Sequence, residues 1–387
     1  MENQILLKTT IVKKLENAHA IWFQNSKSFI LLEEPAFLVF QMVTEGKEID
    51  EITKTCILKY GHLEANIEQF VNEIIQSINH YSNPENSIEV AIPSKIEDNT
   101  QPSTFLPKVV YKLGNKRITL YFSSEYFKHA IHPLLKHLEI QSGLPDENCI
   151  ELVEKDGEYH FKFNGNTSEI FAEENIEYFT GSVKQQMYSI LYDRNFNEWM
   201  MTLHASGVVK NGNAVLFSAA GGSGKSSISA ILKAYGYGYI SDDFIAADEN
   251  GNVYPFPAAI SVKEGAVKAL SEFYPELKEK DDEQAFTGKK VRYLPVHNLD
   301  EIDAAPFPVK ALVFVNYSNK KPFIFEKVSV KEALQLLLRE TWVNPVPEKV
   351  KHFFDWVEKT SFYRLQYAQT EQALKAINRL FSTKNDK

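Results

Sequence analysis

The sequence predicts a mixed α/β protein in two units, a small α+β module followed by a larger α/β domain. Three observations carry this. From about residue 109 to residue 387 strand-like and helix-like periodicities alternate, the pattern of a sheet covered by helices. Before that, two short strand-like runs and three amphipathic segments occupy residues 1–81. Between the two, residues 82–108 lose periodicity and carry Pro84, Pro93, Pro102 and Pro107 among Asn, Ser, Thr and Asp, a linker composition.

In the first unit, Ala20–Phe23 and Phe29–Leu32 read as strands around the polar turn Asn25-Ser26-Lys27. Pro35 sits where a first helical turn tolerates it, so a helix is expected over Ala36–Val43, closed by Gly46. A second helix is expected over Ile49–Tyr60, with Gly61 as its stop and Cys56 filling core on the face of Ile49 and Ile52. The third is the clearest, because Ile67, Phe70, Val71, Ile74, Ile75 and Ile78 recur on one face. Two strands and three such helices predict a winged-helix-like module. Some modules of this kind bind DNA, but no Lys/Arg stripe for phosphate contacts is present.

In the second unit, hairpins are expected at Gly114-Asn115 and Asp156-Gly157, then a helix around Asn175–Arg194 and the apolar run Leu203–Val209. Strand, glycine loop, helix and strand follow between Ala214 and Asp243. Later elements are the strand Ala311–Val315, the helix Lys331–Leu338, the strand Phe362–Gln366 and the helix Glu371–Phe381.

Composition narrows the function classes. The chain carries 42 basic and 51 acidic residues, a net charge of −9, so no global basic field draws it to nucleic acid or anionic lipid. Residues 1–90 hold seven lysines, no arginine and thirteen acids, an acidic module ahead of a more balanced one. Two cysteines make neither a disulfide framework nor a cysteine-rich zinc site. No run reaches the ~18 apolar residues of a membrane span, and Met1–Glu16 lacks the apolar core of a signal peptide. A reducing, cytoplasmic location is expected, with no membrane and no nucleic-acid partner.

The strongest chemical signal is Ala219-Ala220-Gly221-Gly222-Ser223-Gly224-Lys225-Ser226, between the apolar strand Ala214–Phe217 and the helix Ser226–Ala234. Glycines let backbone N–H groups converge on phosphate oxygens, and the helix N-terminus adds its positive dipole end. Lys225 reaches the β- and γ-phosphates in such a loop, and the Ser226 hydroxyl ligates Mg²⁺. Gly221, Gly222, Ser223, Gly224 and Ser227 complete the expected nucleotide contacts. Ala219 replaces the pattern's first glycine, which demands a negative φ there.

Seventeen residues after Lys225, the run Tyr237–Ile240 ends in Ser241-Asp242-Asp243. By itself an Asp-Asp pair is usually a solvated turn or helix cap. Beside a phosphate loop Asp242 and Asp243 can divide labour, one holding Mg²⁺ and the other accepting the proton of an attacking hydroxyl. His204 can donate to a phosphate or orient a carboxylate, or simply be a histidine satisfied in a turn. Lys289, Lys290 and Arg292 form a basic group in which Arg292 is the candidate phosphoryl clamp, against a plain solvated loop. Lys263 is a weaker candidate.

Taken together, Leu203-His204-Ala205-Ser206-Gly207, Gly224-Lys225-Ser226 and Ser241-Asp242-Asp243 resemble the catalytic domain of HPr serine kinase/phosphorylase and its cousins. That fold is shared with phosphoenolpyruvate carboxykinase. Pro255-Phe256-Pro257, Val291-Arg292-Tyr293-Leu294-Pro295 and the closing strand and helix suit the cousins, so the resemblance spans residues 109–387. It implies that His204 is the active-site histidine, Lys225 the loop lysine and Ser226 the metal ligand. It also implies that Asp242 and Asp243 contain the base. HPr kinases proper carry an acid directly after Gly-Lys-Ser, where this chain has Ser227, which points to a cousin with another substrate. Residues 1–81 resemble the PqqD-like domain of peptide-modification systems, through the strand pair, Leu31-Leu32-Glu33-Glu34-Pro35-Ala36 and the helices that follow. Members of that family bind an extended peptide as an added strand beside the last helix.

The expectation is an ATP- and Mg²⁺-dependent serine kinase for a peptide or small protein, such as a ribosomal precursor peptide, recruited by residues 1–81. HPr kinases form hexamers, so self-association is also expected. Two other readings are a peptide-binding or chaperone protein with a regulatory ATP site, and a kinase of a small molecule.

Overall fold

A computed structural model describes residues 9–61, 66–86, 105–172, 175–280, 282–284, 290–296 and 306–382. Most of the expected linker and Lys289 lie outside the described residues. The chain is mixed α/β and divides into two compact units. Among the described residues no helix is long and apolar enough to cross a membrane.

The first unit is built on an antiparallel sheet of β1 (Thr10–Leu15), β2 (Ala18–Phe23) and β3 (Ser28–Glu33) in sequential order. Three helices follow, α1 (Glu34–Thr44), α2 (Ile49–Tyr60) and α3 (Ile67–Ser82). Sequence periodicity leaves β1 unmarked, because Lys13 and Lys14 interrupt its β-branched run. Asn66 caps α3 by accepting from the Gln69 N–H at 3.1 Å, and the stripe of α3 buries Ile67, Val71 and Ile78. Ile21, Phe23 and Leu32 on one sheet face close over Ala36, Phe40 and Ile78. Cys56 is buried among Val39, Met42, Ile52 and Val71, whereas Ile49 is exposed.

The unit does not end at residue 81. It also takes in Val328–Arg339 and Val343–Lys359, which the sequence placed in the second domain. The helix Pro347–Lys359 packs on the other sheet face, with Phe29 at 6.0 Å from Phe353 and 5.8 Å from Phe354. Lys13 bridges Asp355 and Glu358 of that helix at 2.8 and 2.7 Å, and Lys331 of the helix Val330–Leu337 pairs with Glu33. All six residues of β2 are consequently buried. This correction has a local cause. Pro347 occupies the first helical turn, where its missing N–H costs nothing, so the segment after Pro345 forms a helix that is not among the elements expected from sequence.

The second unit opens with a five-stranded sheet in sequential order: β4 (Val109–Leu113), β5 (Lys116–Phe122), β6 (Cys149–Lys155), β7 (Glu158–Phe163) and β8 (Asn166–Ala172). Helices α4 (Glu125–Leu135) and α5 (Ile176–Leu191) bury Phe127, Ile131, Phe179 and Val183 against it. A ten-stranded sheet follows. It contains β9 (Trp199–Leu203), β10 (Ala205–Lys210) and β11 (Asn213–Ser218); α6 (Lys225–Ala234) comes next, then β12 (Gly238–Ser241), β13 (Ile245–Asp248) and β14 (Asn252–Val253). A separate three-stranded sheet joins β15 (Ile260–Lys263), β16 (Glu283–Gln284) and β17 (Lys290–Leu294), with β17 central and α7 (Glu264–Leu270) after β15. The large sheet is completed by β18 (Phe307–Tyr317), β19 (Ile324–Lys327), β20 (Thr341–Val343) and β21 (Ser361–Tyr367). At its centre β11, β18 and β21 run parallel. The face of this parallel set packs Ile228 and Leu232 of α6 and Ala373, Ile377 and Leu380 of the last helix, α8 (Thr370–Phe381).

Candidate functional site

The glycine loop leaves the C-terminal end of β11 and enters α6 at Lys225. Gly222 and Gly224 adopt φ values of 92° and 102°, which L side chains rarely reach. Ala219 is not among the positive-φ residues, so its β-carbon meets the condition that the altered motif sets. The loop is tied down by the Ser223 N–H donating to the Ala220 carbonyl at 3.2 Å and the Tyr317 N–H donating to the Ser223 carbonyl at 2.9 Å. Lys225 is buried and donates from Nζ to the Ala219 carbonyl at 2.6 Å. Burial lowers its pKa. Beneath the loop, Ser206 donates to the Lys225 carbonyl at 2.9 Å and Ser229 donates to Ser206 at 2.7 Å, which anchors the first turn of α6.

Strand register brings the remaining groups together. Two runs of chain, β9–β10 and β12–β13, each break once while serving both halves of the large sheet. They pair at Leu203–Ile245 on one side of the breaks and at Gly207–Ser241 on the other. His204 lies in the first break, Asp242 and Asp243 in the second. Asp243 turns into the left-handed region at φ 64°, a conformation that Asp tolerates better than most residues and that recurs at functional sites. Its Oδ1 stands 3.4 Å from His204 Nε2.

Asp242 is buried at the foot of the loop. Its Oδ1 accepts from Ser226 Oγ at 2.9 Å, and its Oδ2 accepts from the Ser261 N–H at 3.1 Å. Burial, together with the neighbouring Asp243, raises the pKa of Asp242. Asp243 moves the other way. Its side chain is only half-buried, and the desolvation that remains is outweighed by the His204 hydrogen bond and by Lys184 and Lys225, which hold it below the usual carboxylate range. Adjacent carboxylates are thus pushed apart in acidity, the pattern that separates roles in acid–base sites.

Glu340 was not foreseen from sequence. Its carboxylate stands 2.8 Å from His204 Nδ1, and its backbone carbonyl accepts from the His204 N–H at 2.7 Å. Only the glutamate's position just ahead of β20, which pairs with β9, makes the contact, and no local motif marks it.

The basic group is placed differently. Arg292 donates from Nε to Asp282 at 2.8 Å and from a terminal nitrogen to the Leu277 carbonyl. Two of its guanidinium donors are thereby engaged within the three-stranded sheet and its flanking turn. Lys290 is exposed at the start of β17. Lys263 ends β15, exposed, close enough for its charge to act on Lys225. Ser227 lies in the first turn of α6, half-buried.

Among the described residues no group of three or more His, Cys, Asp or Glu side chains could by itself hold a metal ion. Ser226 Oγ and Asp242 do present two hard oxygen atoms at the loop, the donor type that Mg²⁺ selects. A cation there would also compensate the charge that burial disfavours on Asp242. Compared with protein-family models and with curated proteins, the chain gives no match.

Proposed function

We propose that this protein is an ATP-dependent kinase that phosphorylates a serine hydroxyl on a peptide or small protein. The observation that carries this reading is the Ser226–Asp242 bond at 2.9 Å, which joins a glycine loop on a strand–helix junction to a carboxylate pair of split acidity. In this reading the N–H groups of residues 221–227 and Lys225 Nζ surround the phosphates, Nζ exchanging the Ala219 carbonyl for a phosphate oxygen. Mg²⁺ held by Ser226 and Asp242 supplies charge neutralisation of the β- and γ-phosphates. Asp243, the more acidic of the pair, remains ionised and accepts the proton of the attacking hydroxyl. The acceptor O–H bond breaks, an O–P bond forms to the γ-phosphorus, and ADP leaves with the electrons of the cleaved P–O bond.

Supporting a peptide acceptor, β3 is an edge of its sheet, and Ile30 on it and Phe70, Ile74 and Tyr81 on α3 are only half-buried beside the core. An extended peptide can add as a strand at such an edge and fill pockets with alternate side chains. Recruitment of this kind raises local acceptor concentration toward about millimolar, so the catalytic site needs little affinity of its own.

The test is phosphopeptide mass spectrometry on a peptide fraction from the source cells, incubated with Mg-ATP and wild-type protein or Asp243→Asn. Phosphoserine gained only with the wild type is expected, and full activity of Asp243→Asn would remove Asp243 as the base. Ile74→Glu in the full chain is expected to raise KM for the peptide and leave KM for ATP unchanged. No peptide phosphorylation with retained ATP binding would favour a regulatory nucleotide site or a small-molecule acceptor.

A further inference from the structure

The strands around the glycine loop end on one edge of the large sheet. β10 is antiparallel to both β11 and β12, so β12 runs parallel to β11, as do β18 and β21. The C-terminal ends of these four strands carry the glycine loop, Asp242, Tyr317 and Tyr367. The order β12-β10-β11-β18, with β21 beside β18, puts Asp242 on one flank of the loop and the two tyrosines on the other. Open α/β sheets bind ligands outside such carboxyl ends.

Tyr317, the last residue of β18, is 53% exposed, whereas Tyr367, opposite it in register, is 2% exposed. Tyr317 is held firmly against the loop. Its N–H donates to the Ser223 carbonyl at 2.9 Å, and the next N–H, of Ser318, donates to the Tyr367 carbonyl at 2.9 Å. The two rings stand 5.6 Å apart at 68°. Gly224, lacking a side chain, admits both, since a β-carbon there would stand 3.2 Å from Tyr317 Cβ and 3.3 Å from Tyr367 Oη. A single exposed aromatic is ordinary on a protein surface. What sets this one apart is its place, fixed beside a phosphate loop on the flank away from the carboxylates.

We infer that Tyr317 is the platform on which the base of a purine nucleotide stacks while its phosphates occupy the glycine loop. This rests on the nucleotide-binding part of the kinase reading and adds the residue that holds the other end of the ligand. A nucleoside triphosphate carries metal-binding phosphate oxygens at one end and a flat π system at the other. The two flanks of the loop match that order, with the Ser226 and Asp242 oxygens on one and an open phenol ring on the other. In the connection after Tyr317, Lys320 and Lys321 are exposed, and residues 316–325 include no acid, so this flank does not repel an anion. Stacking uses the π face that every base has, so Tyr317 favours ATP and GTP alike over a bare triphosphate chain.

The experiment is titration calorimetry of the full chain with Mg-ATP, Mg-GTP and Mg-tripolyphosphate, the last carrying the phosphates without a base. Tyr317→Ala is expected to weaken ATP and GTP by about ten- to a hundredfold and to leave tripolyphosphate unchanged. Tyr317→Leu, which keeps an apolar contact for Tyr367 should the alanine variant not fold, is expected to do the same. Tyr317→Phe keeps the ring and should bind all three as the wild type does. In Tyr317→Trp the added indole fluorescence should be quenched by ATP and not by tripolyphosphate. ATP affinity unchanged in both Tyr317→Ala and Tyr317→Leu, or an equal loss for ATP and tripolyphosphate, would overturn the inference and leave the nucleotide site standing. A wild-type chain that binds none of the three would remove the nucleotide reading and the inference with it. The expected losses in a protein without phosphotransfer would uphold Tyr317 and remove the kinase reading.

Discussion

Replacing Gly224 by alanine tests whether the glycine loop depends on the geometry described. Gly224 has φ 102° and ψ 13°, and a non-glycine residue held in so sparse a region costs about 1–3 kcal/mol. An added β-carbon would also stand 3.2 Å from Tyr317 Cβ and 3.3 Å from Tyr367 Oη. Neither neighbour yields easily, because the Tyr317 N–H is bonded to the Ser223 carbonyl and Tyr367 is buried. Crowding of this kind adds a further ~1 kcal/mol or more, so a total near 3 kcal/mol is expected. In a unit of this size that corresponds to a melting temperature lowered by about 6–10 °C. Two other glycines calibrate the result. Gly222 has φ 92° but open space around its β-position, so Gly222→Ala carries the strain alone, about 1–2 kcal/mol. Gly221 has neither positive φ nor an atom within 4 Å, so Gly221→Ala should stay within ~0.5 kcal/mol. Differential scanning calorimetry of the three variants without nucleotide gives the ranking, and added Mg-ATP should stabilise the wild type but not Gly224→Ala. Equal melting temperatures for Gly221→Ala and Gly224→Ala would refute the reasoning about this loop.

Three more outcomes follow from the geometry. Burial raises the Asp242 pKa in the folded chain, so its stability contribution is complete below the unfolded carboxylate value and is lost as pH rises through the raised one. Asp242→Asn should therefore melt higher than wild type at about pH 8.5 without divalent cation and match it near about pH 4, and a gap that widens toward acid would contradict this sign. Because Arg292 is engaged by Asp282 and the Leu277 carbonyl, Arg292→Ala should cost ~1 kcal/mol of stability and leave ATP affinity unchanged by titration calorimetry; a large loss of affinity would restore it as a phosphate clamp. A fragment of residues 1–86 lacks the helix that covers Phe29, so it should self-associate or unfold by size-exclusion chromatography and circular dichroism. A monomeric, cooperatively melting fragment would show that the sheet face needs no cover.

Local chemistry made several parts readable from the chain alone. The α3 stripe, the hairpins at Gly114 and Asp156-Gly157, and the strand–loop–helix from Asn213 to Ala234 all stand where periodicity and turn residues put them. Each is decided by neighbours within a few positions, through side-chain period or the φ that a residue allows. The Ser226–Asp242 contact joins the loop to the end of the following strand, and spacing left open which of the two aspartates makes it.

What the chain alone left open depends on non-local pairing. Arg292 is held through Nε by Asp282 and through one terminal nitrogen by the Leu277 carbonyl, contacts that no local pattern marks. The first unit draws its second layer from residues 343–359, far beyond any local window. The chain contributes Glu340–Trp342 to the second unit between two segments of the first. That excursion sets Glu340 against His204. The sequence by itself determined the glycine loop and many of the strands and helices, since those follow from short-range backbone and side-chain preferences, but not β1, α4 or the helix Pro347–Lys359. Tertiary structure alone decided that His204, Asp243 and Glu340 meet, because strand register and chain return bring together residues up to 136 positions apart.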